Sequence, residues 1–157
     1  MMTVFRHILL SSILLCTSFT QTFKTEREVN KVFIHCSASD YDYHDDINVI
    51  RKWHLKRGWQ DVGYHFFIKR DGTIQTGRPL YMIPSSQKGY NKGSISICLH
   101  GNKKFTTRQF WSLKILCYLL DENFVSLTFH GHKEVSIKSC PNFDYERILR
   151  LKDKKIT

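Results

Sequence analysis

The fold is decided by residues 29–36, which have the sequence VNKVFIHC. β-Branched and aromatic side chains dominate this stretch, and a short apolar run of this kind is typical of a strand buried in a sheet. The strand ends at His35 and Cys36, and the loop that follows covers residues 39–44. Binding residues are common where a rigid strand gives way to a loop, so His35 is a candidate for a functional site.

A helix and a hairpin are predicted directly after this strand. The helix begins at Asp45 or Asp46, either of which can cap it, and Gly58 is placed to end it. Two antiparallel strands, at residues 64–69 and 73–76, are predicted around the Asp-Gly pair between them, because this dipeptide is a strong hairpin signal.

The second half of the chain supplies the remaining elements. Residues 94–99 alternate polar with apolar side chains, which predicts a half-buried strand. The other elements are a helix from Thr106 or Thr107 to about residue 123, with Phe110 on its inner stripe, a strand at 125–129 and a short helix from about Asp144. Together these patterns predict a mixed α/β fold with a single central mixed β-sheet flanked by helices.

The composition is that of one globular domain. The 157 residues are 41% hydrophobic and 24% charged, which fits a folded protein with a substantial core. Five cysteines at irregular spacings predict no disulfide framework. Lys and Arg outnumber Asp and Glu by 24 to 14, so a partner met by diffusion is expected to be anionic, either a cell-wall polymer or nucleic acid. Much of the basic excess is scattered along the sequence, so an ordinary solvated surface is an equal alternative. No nucleic-acid-binding signature accompanies this charge, and we expect no nucleic-acid partner.

The start of the sequence predicts an exported protein. Residues 1–22 contain a basic start and then an apolar run at 8–16, which is too short to span a bilayer and is typical of a signal peptide. We therefore expect a secreted or periplasmic monomer without stable membrane insertion once the leader is removed. The alternatives are an uncleaved anchor, a misassigned start codon and a hydrophobic extension without a targeting role. Residues 23–30 are then a linker, 31–152 the folded domain and 153–157 a basic tail.

His35, His132 and Cys140 are a candidate zinc site. Zinc prefers tetrahedral nitrogen and sulfur ligands, and a catalytic site uses three protein ligands and keeps a fourth position for a water whose pKa falls to about 7. From the residues alone this set is not unique. His130 competes with His132, because residues two apart in a strand share a face, and a lone cysteine is more often a small buried apolar residue. The other histidines outside the leader have no partner at a recognised metal spacing and are expected to be structural or exposed: His44, His54, His65 and His100.

Several groups of residues occur in the order seen in one family. They are IHCSA at 34–38, WH at 53–54 with RGW at 57–59, DVGYHF at 61–66, RDGTI at 70–74, GYN at 89–91 with SI at 94–95, and the segment 132–141 with FD at 143–144. Over about residues 29–147 the chain resembles the type 2 N-acetylmuramoyl-L-alanine amidases, which include phage amidase-type lysozymes and peptidoglycan recognition proteins. The resemblance implies hydrolysis of the amide bond between N-acetylmuramic acid and L-alanine in peptidoglycan, at a zinc cleft on one edge of the sheet.

The resemblance also implies roles for single residues. The matching positions are three ligands of one zinc ion and two catalytic residues: His35, His132 and Cys140, and Tyr64 and Lys138. This assignment leaves His130 as a pocket residue at most. Tyr64 as a hydrogen-bond donor and Lys138 as a cation would stabilise the oxyanion formed by attack on the amide carbonyl.

A protein that binds peptidoglycan without cutting it is the alternative function. Loss of the cysteine ligand is expected in such a recognition protein, and Cys140 is present here. The segment 101–105 is shorter than in the phage members, which would reshape one wall of the cleft. The resemblance to phage proteins also makes the cytoplasm of an infected host the alternative to export.

Overall fold

The structure, a computed structural model, describes residues 23–150. The predicted leader at 1–22 and the predicted basic tail at 153–157 lie outside the described residues. Within 23–150, no helix is both long enough and apolar enough to cross a membrane. The four cysteines in this part of the chain are free thiols: Cys36, Cys98, Cys117 and Cys140.

Five strands form one mixed sheet. They are β1 (Lys31–Cys36), β2 (Phe66–Ile68), β3 (Ile74–Thr76), β4 (Ser94–Leu99) and β5 (Thr128–Gly131). Their order across the sheet is β3-β2-β4-β1-β5; β2 and β3 form the predicted antiparallel hairpin, with shorter strands than expected, and every other neighbouring pair is parallel. The predicted mixed sheet is confirmed, and its parallel part brings the carboxyl ends of four strands to the same end of the sheet.

Helices cover both faces of this sheet. Within residues 23–150 the α-helices are α1 (Ile47–Lys56), α2 (Thr107–Asn123) and the short α3 (Tyr145–Leu149). α1 packs Ile47 and Ile50 against Phe67 and Cys98 on one face of the sheet. α2 and α3 cover the opposite face, where the larger apolar core lies. Two short 3₁₀ turns, Asp42–His44 and His132–Glu134, follow β1 and β5 and lead toward the site described below.

The helix caps decide between the predicted alternatives. Asp46 caps α1, because its carboxylate accepts a backbone N–H from the first turn at 2.7 Å. Asp45 instead accepts the backbone N–H of Arg70 at 3.1 Å, which ties the start of α1 to the hairpin. Thr106 caps α2 in a capping box with Gln109, in which each side chain bonds the other's backbone N–H.

Two details of the sequence prediction are wrong. β4 is buried along its whole length rather than half-buried, because it is paired on both sides and covered on both faces. β5 begins at Thr128 rather than at residue 125, because Ser126 adopts a left-handed conformation (φ 60°) that interrupts an extended strand, and Val125 is 89% exposed. On α2, Phe110 is half-buried and packs against the core as predicted, and the first fully buried residue is Gln109.

Gln109 ties α2 to the end of the sheet. Its side-chain amide donates to the carbonyl of Ile68 at 3.2 Å and to that of His100 at 2.7 Å. Its side-chain oxygen accepts the backbone N–H of Thr106 at 3.0 Å. Because the residue is fully buried, water does not compete for these bonds, and a buried carbonyl left without a donor costs about 1–3 kcal/mol.

Replacing Gln109 with Leu is expected to lower the free energy of unfolding by about 2–3 kcal/mol. The variant leaves the His100 carbonyl without its donor and removes half of the capping box. Chemical denaturation followed by circular dichroism measures the change. The matched control is Gln60→Leu at an exposed position, which should change stability by less than about 0.5 kcal/mol; equal stabilities of the two variants would contradict this account.

Candidate metal centre and cleft

Three side chains with metal-binding atoms converge where β1 and β5 end. The two strands run parallel, and Ile34 pairs with Gly131. The residues that follow this pair are His35, on β1, and His132, directly after β5. Cys140 approaches from the loop before α3. The possible ligand atoms of the three residues lie within 4.8 Å of one another, and His35 Nδ1 is 3.9 Å from Cys140 Sγ. The structure thus brings together the three residues predicted as ligands, in a group that could hold one metal ion.

A buried glutamine fixes the orientation of the His35 ring. His35 Nε2 lies 3.1 Å from Gln87 Oε1. The Gln87 amide nitrogen in turn donates to Ser94 Oγ at 2.7 Å, so its oxygen is the group that faces the imidazole. An amide oxygen only accepts hydrogen bonds, and this network therefore assigns the proton to Nε2. The lone pair is left on His35 Nδ1, the atom that faces Cys140.

The electrostatics of the cluster keep both imidazoles neutral. Burial lowers the pKa of His35 to about 3, and repulsion from His132 in its protonated form and from Lys138 acts in the same direction. Burial and the Lys138 charge also lower the pKa of His132. Cys140 Sγ accepts the backbone N–H of Cys36 at 3.2 Å, and contact with the Cys36 side chain together with burial raises the pKa of the Cys140 thiol. A cation bound here must displace that proton, so its affinity should fall as the pH is lowered.

A carboxylate anchors the turn that carries His132. Glu134 accepts the backbone N–H of Gly131 at 2.6 Å and a hydrogen bond from the Tyr145 hydroxyl of α3. A side chain at Gly131 would meet the Tyr145 ring at 2.8 Å, so this close approach requires glycine. His130 Nδ1 lies 2.7 Å from the Glu134 carboxylate, and its Nε2 lies 2.9 Å from Thr128 Oγ1. His130, the alternative ligand considered from the sequence, is therefore engaged away from the cluster.

The cluster opens into a cleft of ≈ 1050 Å³ that also includes Tyr64 and Lys138. The Tyr64 ring lies 5.3 Å from the His35 ring, between centroids. Burial, and then the neighbouring thiols of Cys98 and Cys140, raises the pKa of Tyr64 well above its usual value, so this phenol stays protonated and can donate a hydrogen bond. Lys138 is exposed, and both predicted catalytic residues line the same cleft as the three metal-binding side chains.

One face of α1 forms a wall of the cleft that the sequence prediction missed. Ile50, Trp53, His54 and Arg57 follow helical spacing and all line the cleft. The apolar stripe of α1 that packs Ile47 and Ile50 against the sheet thus continues into the cleft, and its helical spacing was the signal available in the sequence. His54 is buried, its Nδ1 accepts the backbone N–H of Gly63 at 2.9 Å, and burial together with the charges of nearby arginines lowers its pKa to about 4. The prediction of a structural His54 holds, but the residue is also part of the cleft wall.

A carboxylate joins two loops on the same side of the cleft. Asp40, in the loop after β1, accepts the backbone N–H groups of Asn102, Lys103 and Lys104 in the loop after β4, at 2.8–3.3 Å. These bonds lower the pKa of Asp40. The short segment 101–105 noted in the sequence therefore contributes Asn102 and Lys104 to the cleft, and its bonds to Asp40 fix it to the loop after β1.

The mixed sheet carries a His-His-Cys cluster that could hold one metal ion, at the end of its parallel strands and in an open cleft, and this arrangement suits a hydrolase. The chain belongs to the N-acetylmuramoyl-L-alanine amidase family, whose family model matches residues 25–143. The predicted family and the predicted enzyme class are thereby confirmed.

Known relatives cover most of the chain. The endolysin of Escherichia phage T7 is 40% identical over 133 residues, which are 80% of this chain and 88% of that protein. The solved structure of the endolysin and N-acetylmuramoyl-L-alanine amidase LysCS from Clostridium intestinale is 30% identical, with a TM-score of 0.73 over 81% of this chain and 85% of that chain. Peptidoglycan-recognition protein LB of Drosophila melanogaster is 30% identical over 93 residues, 55% of this chain and 40% of that protein. The phage protein and the clostridial structure match over nearly the whole domain, and the recognition protein matches over a shorter part.

Proposed function

We propose that this protein hydrolyses the amide bond between N-acetylmuramic acid and L-alanine of peptidoglycan, and that the reaction depends on one zinc ion held by His35, His132 and Cys140. The observation that carries the proposal is the convergence of two imidazole nitrogens and one sulfur within 4.8 Å in a cleft lined by Tyr64 and Lys138. Membership in a family of N-acetylmuramoyl-L-alanine amidases gives the reaction class.

The donor set fits zinc better than other common cations. Two imidazoles and one thiolate are ligands that zinc prefers, whereas magnesium and calcium select oxygen. Three is also the number of protein ligands at catalytic zinc sites. The bond from His35 Nε2 to Gln87 is of the kind that orients histidine ligands of metals. When bound, zinc supplies a Lewis acid that polarises the amide carbonyl and makes a water acidic enough to attack near neutral pH.

Tyr64 and Lys138 would act on the charge that develops in the reaction. Attack on the amide carbon turns the carbonyl oxygen into an oxyanion. The protonated phenol of Tyr64 can donate a hydrogen bond to this oxygen, and the Lys138 ammonium can stabilise it as a cation. The substrate is neutral at this atom before attack, so both interactions are stronger in the transition state than in the bound substrate.

Peptidoglycan recognition without cutting is the second candidate. It is favoured by the similarity to a peptidoglycan-recognition protein, which covers 55% of the chain. The presence of Cys140 beside both histidines favours the hydrolase.

The full-length protein incubated with purified peptidoglycan is expected to release new L-alanine amino groups and no new reducing sugar ends. A chelator should abolish the release, and added Zn²⁺ should restore it, because the three side chains hold the ion. Cys140→Ser should lose both bound zinc and activity. New reducing ends would point to glycosidic cleavage instead, and bound zinc without any cleavage would favour the recognition function.

Tyr64→Phe and Lys138→Ala are each expected to lower kcat by about 10²–10³ while zinc remains bound, since removal of one preorganised donor costs on that order. Steady-state kinetics and the zinc content of each variant measure the two quantities. Tyr118→Phe and Lys52→Ala, at exposed positions outside the cleft, are the matched controls and should behave as wild type. Loss of zinc together with activity would show a structural role for the residue changed.

Gln87→Leu is expected to weaken zinc binding about 10- to 100-fold, because the variant removes the acceptor that orients His35. Competition with a chromophoric zinc chelator gives the affinity directly, without reference to activity. Gln60→Leu, at an exposed position, serves as the control. An unchanged affinity in a folded Gln87→Leu protein would mean that the sheet alone positions His35.

A further inference from the structure

Four rings form a connected cluster beside the candidate metal centre. Tyr41 stacks on Tyr43 with centroids 5.3 Å apart, and both rings contact His44, at 5.7 and 4.2 Å. His44 packs edge-on against Trp53 of α1 at 4.5 Å. We call these four residues the aromatic rim. The amidase reaction described above assigns no role to any of them.

The aromatic rim is continuous with the cleft and open to solvent. Tyr41, His44 and Trp53 line the same cleft as the metal-binding side chains, and Tyr43 extends the ring surface outward. Tyr41 is 63% exposed and Tyr43 is 71% exposed. Grouped apolar surface that a fold leaves open beside a functional cleft is typical of a binding site.

Hydrogen bonds hold the loop of the rim in place before any ligand arrives. Ser39 Oγ lies 2.7 Å from His44 Nδ1 and accepts the backbone N–H of Tyr41 at 3.3 Å. The Arg70 guanidinium donates to the carbonyl of Asp40 at 3.0 Å and so ties the loop to the hairpin. Rings that are already positioned lose little conformational entropy when a ligand binds.

Two acidic side chains beside the rim, those of Asp42 and Asp45, are engaged by Arg70. Asp42 pairs with the Arg70 side chain at 3.5 Å, and the Asp45 carboxylate accepts the Arg70 backbone N–H. The rim therefore offers flat apolar faces edged by phenol hydroxyls and an imidazole. A pyranose ring has the complementary form, because its C–H face is apolar and its hydroxyls lie at the edge. A stem peptide, which carries carboxylates, would instead favour the cleft cations Arg57 and Lys138.

We infer that the aromatic rim is a binding site for the glycan strand of peptidoglycan and holds saccharide units beyond the N-acetylmuramic acid whose amide is cut. This inference rests on the proposed amidase function. It makes Tyr41 and Tyr43 specificity residues that favour the polymer over small fragments.

The test compares two substrates, polymeric peptidoglycan and a soluble muropeptide with a single N-acetylmuramic acid. Tyr41→Ala and Tyr43→Ala should each raise KM for the polymer by about 5- to 10-fold with kcat within about twofold, the size expected for one ring contact. Their kinetics on the muropeptide should match wild type. Tyr41→Phe keeps the ring and should retain most of the affinity, and the exposed Tyr118→Ala on α2 is the matched control.

Co-sedimentation with glycan strands stripped of peptide measures the same contact without the reaction. Wild type and Tyr118→Ala should bind, and Tyr41→Ala should bind more weakly. The inference would be overturned if Tyr41→Ala and Tyr43→Ala raised KM equally for the polymer and the muropeptide. It would also be overturned if the variants changed KM for neither substrate while the wild-type enzyme is active. If wild type cuts neither substrate, the proposed amidase function fails, and the sedimentation result alone then decides whether the rim binds glycan.

Discussion

The parallel pairing of β1 with β5 is the constraint on which the rest of the site depends. The register that sets Ile34 opposite Gly131 places His35 and His132 next to each other at the ends of two strands. A slip of one residue would turn one of the two side chains to the other face of the sheet. Glu134 stabilises this arrangement, because its carboxylate accepts hydrogen bonds from the Gly131 backbone N–H and from the Tyr145 hydroxyl and so links the turn after β5 to α3.

The serines of β4 show why part of the structure could not be predicted. Alternating polar and apolar residues in 94–99 predict a strand with one solvent-exposed face, but Ser94 and Ser96 are fully buried. Ser94 Oγ accepts from Gln87, and Ser96 Oγ bonds to Ser86, so the polar face of the strand supports the glutamine that orients His35. A sequence pattern records polarity, but it does not record whether water or another side chain satisfies it.

The strands, the helices and the candidate ligands were predictable to different degrees. The cap at Thr106 and the Asp-Gly hairpin are local signals, and the structure has both elements where they indicate. The choice between His130 and His132 needed the family resemblance, because spacing along one strand does not reveal strand register. The cleft positions of His44 and His54 were missed, since they depend on how α1 and its preceding loop pack against the sheet. Net charge predicted an anionic partner, and the cleft gathers Arg57, Lys104 and Lys138 at one place.

The hydrogen bonds from the loop after β4 to Asp40 have a consequence for how this cleft can change in evolution or by design. The loop after β1 carries rings of the rim and the Asp40 carboxylate, which accepts backbone N–H groups of the loop after β4. Movement of one loop is therefore expected to move the other. Residues inserted into 101–105 would displace the backbone donors of Asp40 and shift Tyr41, its neighbour in sequence. The length of segment 101–105 would then set the position of the loop after β1. Enzymes of this family could in this way change the length of polymer that they contact without any change at the metal-binding residues.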